Sequence, residues 1–379
     1  MVQNQSETLA NRDAVEQDTA SHKRLMSLDV FRGLTIILML LVNNVVLDRY
    51  TPWTLTHASW NEGVSAADLV FPWFLFIVGT AIPFSQASQI RRGIPGWKRI
   101  PRAAGRAVGL VLLGFLIDSS IAHRPVLGME VLQLIGLAFL TGTLIYQIPA
   151  PWRVICAILL LVMHWTLLKC LPIPGYETGI FTEKMNVIRY INDTYLSPHF
   201  RGIISVIPGT AMVLIGTIIG DWLRNESITR LYRAVRIMVA GLAMVGVAMY
   251  WNEILPFNKP VWTGSYILFC GGFGTLVLGL LYVIMDVAGL RAWAFPIAVF
   301  GMNSIAAYVA PILVKVYIFQ GWTWKLSDGS VATLQDAILH YLRAHAGIVG
   351  GGWIYTIGYI FVWWLVMLEL YRRKVFLRV

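Results

Sequence analysis

The chain has 379 residues, of which 57% are hydrophobic and 13% charged, about half the charged share of a soluble domain. With a mean hydropathy of +0.66 it has too little polar surface to enclose itself in water, so lipid is the solvent it fits and a string of soluble domains is excluded. A net charge of +10 would suit a nucleic-acid binder if the chain were soluble, but in a membrane protein it reads as the Lys and Arg excess of cytoplasmic loops, and no nucleic-acid partner is expected.

Residues 1–23 are polar and lean acidic, with no apolar stretch of the kind a cleaved leader needs, and are expected to form a disordered cytoplasmic tail. From residue 24 to 379 the chain reads as a single transmembrane domain. Apolar runs long enough to span occur at 28–47, 68–85, 103–119, 129–146, 152–170, 203–223, 231–251, 262–285, 293–319 and 352–371. They are continuously apolar rather than alternating, which excludes a β-barrel. The expected fold class is therefore all-α, a polytopic helical bundle of about ten spans.

Basic residues mark every second connection: Lys23 and Arg24; Arg91, Arg92, Lys98, Arg99, Arg102 and Arg106; Arg224, Arg230, Arg233 and Arg236; Arg372, Arg373, Lys374 and Arg378. The alternation supports an even number of spans with both termini cytoplasmic. The other side then holds the longer connections, 48–67, 171–202, 252–261 and 320–351. Cys156, Cys170 and Cys270 lie far apart with no CxxC, so neither a disulfide framework nor a zinc site is indicated. Walker, GxGxxG and HExxH patterns are absent. Gly271-Gly272-Phe273-Gly274 reads as close helix packing, not a phosphate loop.

Polar groups inside spans are costly and therefore informative. Asp29 and Arg32, three apart, share a helical face and form either a structural ion pair or part of a site. Asn43 and Asn44 are adjacent, so they point to different faces. Next comes His57-Ala-Ser-Trp60-Asn61-Glu62, then Ser65 and Asp68 directly before a span. Ser65 suits a helix cap with Asp68 as its acidic partner. His57 serves no such purpose, and an imidazole suits proton transfer. Weaker candidates are His123 beside Asp118, Asp193, His199 and Arg201. His164 is expected to be a core histidine with its hydrogen bonds satisfied. Asn303 and Ser304 open a polar patch that continues to Tyr308.

The runs Leu28-Asp-Val-Phe-Arg-Gly-Leu34 with Asn43, His57-Ala-Ser-Trp-Asn61 and Ala67-Asp-Leu-Val-Phe-Pro-Trp-Phe74 resemble the heparan-alpha-glucosaminide N-acetyltransferase family, whose bacterial relatives are membrane acyltransferases of the NagX type. Val131-Leu-Gln-Leu-Ile-Gly-Leu137, Asn258-Lys-Pro-Val-Trp262 and Gly301-Met-Asn-Ser304 agree, so the resemblance covers residues 24–375, with its specific part in the first eighty. It implies transfer of an acetyl group from cytoplasmic acetyl-CoA to an amino sugar across the membrane, with no metal. It places the catalytic histidine at His57 and the first-helix asparagine at Asn43, and it suggests a homodimer; the basic pI and the lack of an organelle signal fit a bacterial inner membrane. Where relatives often carry Asp-Pro-Glu-Gly, this chain has Ser197-Pro-His-Phe-Arg-Gly202, which turns the expectation towards an anionic acceptor.

On that reading Arg32, Arg91, Arg92, Lys98, Arg99, Arg102 and Arg106 include the anchor for the CoA phosphates. Asn43 donates to the thioester oxyanion, and Asp68 orients His57 or contacts the acceptor. Trp60, Asn61, Asn303 and Ser304 are expected to contact the acceptor. His57 serves either as general base or as an acetylated nucleophile. O-acetylation of a polysaccharide, a secondary transporter of a sugar or organic anion, and a membrane protein without chemistry are the competing readings.

Overall fold

The computed structural model describes residues 25–326 and 329–377; the expected tail 1–23, with Lys23, Arg24 and Arg378, lies outside the described residues. Each apolar run forms helix: α1 (Met26–Asn44), α2 (Ala66–Arg91), α3 (Gly96–Ala122), α4 (Val131–Ile145), α5 (Ala150–Cys170), α6 (Val206–Arg224), α7 (Arg230–Asn252), α8 (Gly264–Tyr282), α9 (Phe295–Met302), α10 (Ser304–Val314) and α11 (Leu334–Arg372). The protein is an all-α polytopic bundle integral to the membrane. Strand is confined, among the described residues, to a short hairpin, Thr323–Lys325 with Val331–Thr333.

Local chemistry sets the helix ends. Asp68 accepts the backbone N–H of Ser65 and closes a capping box at the start of α2. Thr333 and Asp336 do the same for α11. Pro149 and Pro151 open α5, where their missing N–H groups cost nothing.

Span lengths differ from the sequence expectation. Among the described residues, eight helices are long and apolar enough to cross a membrane singly. The ninth run is broken at Asn303 and bends by 66°, giving nine spans if the bent pair crosses as one. The side chain of Asn303 is diverted there to the C-terminal segment: Nδ2 donates to the Val375 carbonyl and Oδ1 accepts from the Leu377 N–H. The fourth run yields only the 15 residues of α4, ~22 Å of helix against a hydrocarbon core of about 30 Å. α11 is two helices joined at Gly347, whose backbone is non-helical (φ 73°, ψ 172°), so the tenth run follows that break and the helix from Leu334 belongs to the connection before it.

Small residues bring the central helices together. A Cβ on Gly79 or Gly216 would strike the backbone of the facing helix, so α2 and α6 cross at near backbone contact. Gly272 of α8 lies against Gly241 and Val245 of α7 in the same way, which is the packing role expected of the Gly271–Gly274 cluster.

The alternating course of the helices puts two chemistries at opposite ends. One end carries the start of α1, the end of α2, the end of α6 and the start of α7, with Asp29, Arg32, Arg91, Arg224 and Arg230. The other carries the end of α1, the start of α2 and the α7–α8 connection, with His57, Asp68 and Lys259.

Candidate functional site

His57 sits in the connection between α1 and α2, with most of its side chain exposed, while Asp68 on the first turn of α2 is only 2% exposed. The Nδ1 of His57 lies 2.9 Å from Asp68 Oδ1. Asp68 Oδ2 accepts the Ala58 N–H at 3.1 Å, the Ser65 N–H at 3.1 Å and the Ser65 hydroxyl at 3.0 Å. The buried hydroxyl of Tyr266 donates to the Asp68 backbone carbonyl at 2.6 Å, fixing that turn of α2 from α8. A carboxylate held this fully has one orientation. It offers an acceptor to a proton on His57 Nδ1, the tautomer that leaves the lone pair on Nε2.

Lys259, from the α7–α8 connection, completes the cluster. Its Nζ lies 2.9 Å from Nδ1 and 3.3 Å from Nε2 of His57, and 3.4 Å from Asp68 Oδ1. Burial lowers the Lys259 pKa below that of an ordinary lysine, with the Asp68 charge opposing the shift. The sequence shows Lys259 within a motif but says nothing of its partner, because 202 positions separate it from His57.

The neighbours act as straps. Asn61, in the left-handed region (φ 62°), accepts a 2.9 Å hydrogen bond from Asn258 Nδ2, tying the two connections together. Trp60 packs on Phe181 with ring centroids 5.2 Å apart, and its indole N–H has no partner among the described residues.

Four of the seven basic residues expected to bind CoA divide between two cavities. Arg32 and Arg91 line one of about 500 Å³ with Arg224, Arg230, Arg233 and Arg291, six arginines against Asp29, Glu226 and Asp286. Arg32 Nη1 is 3.1 Å from Asp29 Oδ1, the expected ion pair. Arg102 and Arg106 line a neighbouring cavity of about 290 Å³, with Arg106 5.0 Å over the Phe139 ring. Ala81 of α2 lines both. Arg92, Lys98 and Arg99 line neither. Sequence reasoning read Arg224, Arg230 and Arg233 as orientation signals and missed Arg291; their convergence depends on how α2, α6, α7 and α8 end together.

Other expected residues lie elsewhere. Asn43 lines a third cavity, whose lining includes none of His57, Asp68 and Lys259, while the adjacent Asn44 is buried and donates to the Leu40 carbonyl. Tyr308 lines this third cavity too. Asn303 and Ser304 sit at the arginine end, away from His57, with the Asn303 amide engaged by backbone as described. His164 departs from its expectation. It lies on the buried stripe Ala157, Leu161, His164, Leu168 of α5, and neither ring nitrogen has a hydrogen-bond partner among the described residues because that stripe faces apolar core. His123 packs edge-on against Tyr317. Asp193 pairs with Arg189 and Arg201 at 3.5 and 3.4 Å, and His199 approaches the Leu127 carbonyl at 3.4 Å.

The model of a family described as heparan-alpha-glucosaminide N-acetyltransferase, catalytic, matches residues 24–252. The heparan-alpha-glucosaminide N-acetyltransferase of Homo sapiens is 27% identical over 94% of this chain and 60% of its own length. That of Mus musculus is 26% identical over 96% of this chain and 62% of its own. The chain thus spans about three fifths of the length of these curated relatives.

Proposed function

The chain belongs to the heparan-alpha-glucosaminide N-acetyltransferase family, and from that premise we propose that it transfers an acetyl group from acetyl-CoA, held at the arginine end, to an amino sugar at the His57 end. The observation that carries the reading is the His57–Asp68–Lys259 cluster at the end of the bundle opposite an arginine-lined cavity. By the positive-inside bias the arginine end is cytoplasmic and His57 faces the other side.

The six arginines suit the phosphates of CoA, which favour forked cationic donors. The cavity reaches Ala81, and from there to Asp68 is thirteen residues of α2, ~20 Å at the helical rise. An extended pantetheine arm is the part of the cofactor suited to that distance, so the acetyl group crosses while the nucleotide stays. Nε2 of His57 takes the proton from the acceptor amine as its nitrogen attacks the thioester carbonyl. The Asp68 carboxylate holds the ring and balances the imidazolium that forms. Lys259 Nζ, 3.3 Å from Nε2, donates to the developing oxyanion. The C–S bond breaks, and the thiolate leaves as CoA after taking a proton.

The test is acceptor-dependent CoA release by the purified chain with glucosamine. His57→Ala is expected to abolish release while CoA binding persists. Release that survives the substitution overturns the role of His57.

The 66° break at Asn303 is a feature that secondary transporters share. Here the break is filled by the C-terminal segment. Uptake of glucosamine into vesicles without any CoA binding would favour the transporter reading.

A further inference from the structure

Lys259 is an amine beside a base, yet the proposed transfer uses it only as a hydrogen-bond donor. Its Nζ lies 2.9 Å from Nδ1 and 3.3 Å from Nε2 of His57. His57 is in turn held by Asp68 at 2.9 Å. A nucleophile, a base within hydrogen-bond reach and a third group that orients the base are the parts of an activated acyl acceptor.

The setting favours attack by this amine. The Lys259 side chain is 26% exposed and that of His57 59%, so neither is sealed from a thioester. The backbone that carries Lys259 is pinned on both sides. Asn258 gives its side-chain NH₂ to Asn61 Oδ1 at 2.9 Å and its backbone N–H to Thr263 Oγ1 at 3.0 Å. The Trp262 N–H donates to the Lys259 carbonyl at 3.1 Å. Burial lowers the Lys259 pKa, which enlarges the share present as free amine, the form that attacks. By contrast Lys98, Lys169 and Lys184 are exposed, and Lys315 bonds the Asn43 carbonyl at 2.8 Å.

We propose that Lys259 is a self-acetylation site, modified from acetyl-CoA when no acceptor is bound. The inference rests on the proposed acetyltransferase reading for the arrival of the thioester beside His57. The free amine attacks the thioester carbonyl and passes one proton to His57 Nε2. The N–C bond forms, the C–S bond breaks, and the thiolate takes that proton and leaves as CoA. The product is an amide, a far weaker acyl donor than a thioester, so the acetyl group stays on Lys259 and is not passed on. Acetylation removes the charge that pairs with Asp68 and that steadies the oxyanion. A chain supplied with donor and no acceptor thereby turns itself off, and an acceptor protects it by taking the acetyl group first.

The test incubates the full chain in detergent with acetyl-CoA carrying an isotope-labelled acetyl group, with and without glucosamine. Mass spectrometry of the peptides reads the label on each lysine, and glucosamine acetylation is measured in the same tubes. Without glucosamine, Lys259 is expected to carry on the order of 10² times more label than Lys98, Lys169 or Lys184, the value of one positioned base. Glucosamine is expected to suppress that label, and His57→Ala to bring it down to the level of the exposed lysines with CoA binding intact. Chain pre-treated with acetyl-CoA alone is expected to lose glucosamine acetylation in proportion to the labelled fraction. Label at Lys259 no higher than at the exposed lysines, or equally high in His57→Ala, overturns the inference; acetylated glucosamine in the same tubes would leave the enzyme reading standing. His57-dependent label on Lys259 with no glucosamine acetylated would do the reverse, keeping this site and removing the amino-sugar acceptor.

Discussion

Replacing Asp68 by Asn keeps the shape of the side chain and removes its charge. The amide oxygen can still accept from Ala58, Ser65 N–H and the Ser65 hydroxyl, the three donors now on Oδ2. Its NH₂ then faces His57 Nδ1, where Oδ1 stood at 2.9 Å. That contact is satisfied only if Nδ1 becomes the acceptor, which moves the ring proton to Nε2 and removes the base. Where an aspartate orients a catalytic histidine, this exchange costs on the order of 10³–10⁴ in rate, or about 4–5.5 kcal/mol of barrier. Stability falls as well. Charge-assisted hydrogen bonds are roughly twice as strong as neutral ones, so weakening three of them by about 1 kcal/mol each costs about 3 kcal/mol in all. Lys259 also loses its carboxylate, but its side chain is 26% exposed, so water offsets part of the loss. Asp68→Ala is expected to be worse for folding, since it leaves the buried Ser65 N–H and the half-buried Ala58 N–H without this acceptor. The assay is acceptor-dependent CoA release at saturating substrates, with CoA affinity and the melting midpoint in detergent as controls. A folded Asp68→Asn protein working within tenfold of the unsubstituted chain would refute the claim that Asp68 sets the His57 tautomer.

Lys259→Met is expected to lower kcat by about 10²-fold, the usual cost of one oxyanion donor, with Lys259→Arg intermediate; an unchanged kcat would exclude the donor role. The pKa of Lys259 is lowered by burial, so the folded state binds fewer protons there than the unfolded one. Its contribution to stability therefore rises with pH between the lowered value and that of a free lysine. Melting midpoints measured against pH should show this rise in the parent chain and lose it in Lys259→Met. Arg91→Gln and Arg224→Gln, both on the arginine-lined cavity, should each weaken CoA binding about tenfold, the value of one charged hydrogen bond; competition binding at several salt concentrations checks this, and unchanged affinity would move the nucleotide elsewhere. Gly216→Ala should destabilise the protein by about 1–3 kcal/mol or more through overpacking, because its Cβ would meet the Phe76 and Thr80 backbone; thermal melting in detergent reads it.

What the sequence by itself determined is what lies within a few residues. Continuous apolar runs dictate helices, since lipid leaves the backbone no partner but itself. Spacings of three dictate the Asp29–Arg32 pair and the Ser65–Asp68 cap, both present in the structure. Two adjacent asparagines were expected on different faces, but both line one cavity, Asn43 exposed and Asn44 buried. The resemblance singled out His57, and the period of the chain explains none of its surroundings. Only the tertiary structure decided that Lys259 arrives from 202 positions away, and that Asp68 holds a cap and a histidine at once. It likewise decided that Arg224, Arg230, Arg233 and Arg291 share a cavity with Arg32. Asn303 read as part of a polar patch, but a C-terminal segment 72 positions on takes its amide. The physical reason is common to all of these. Hydropathy and capping are properties of one helix, whereas a charge or an amide in a bilayer takes its meaning from the partner that another helix brings to it.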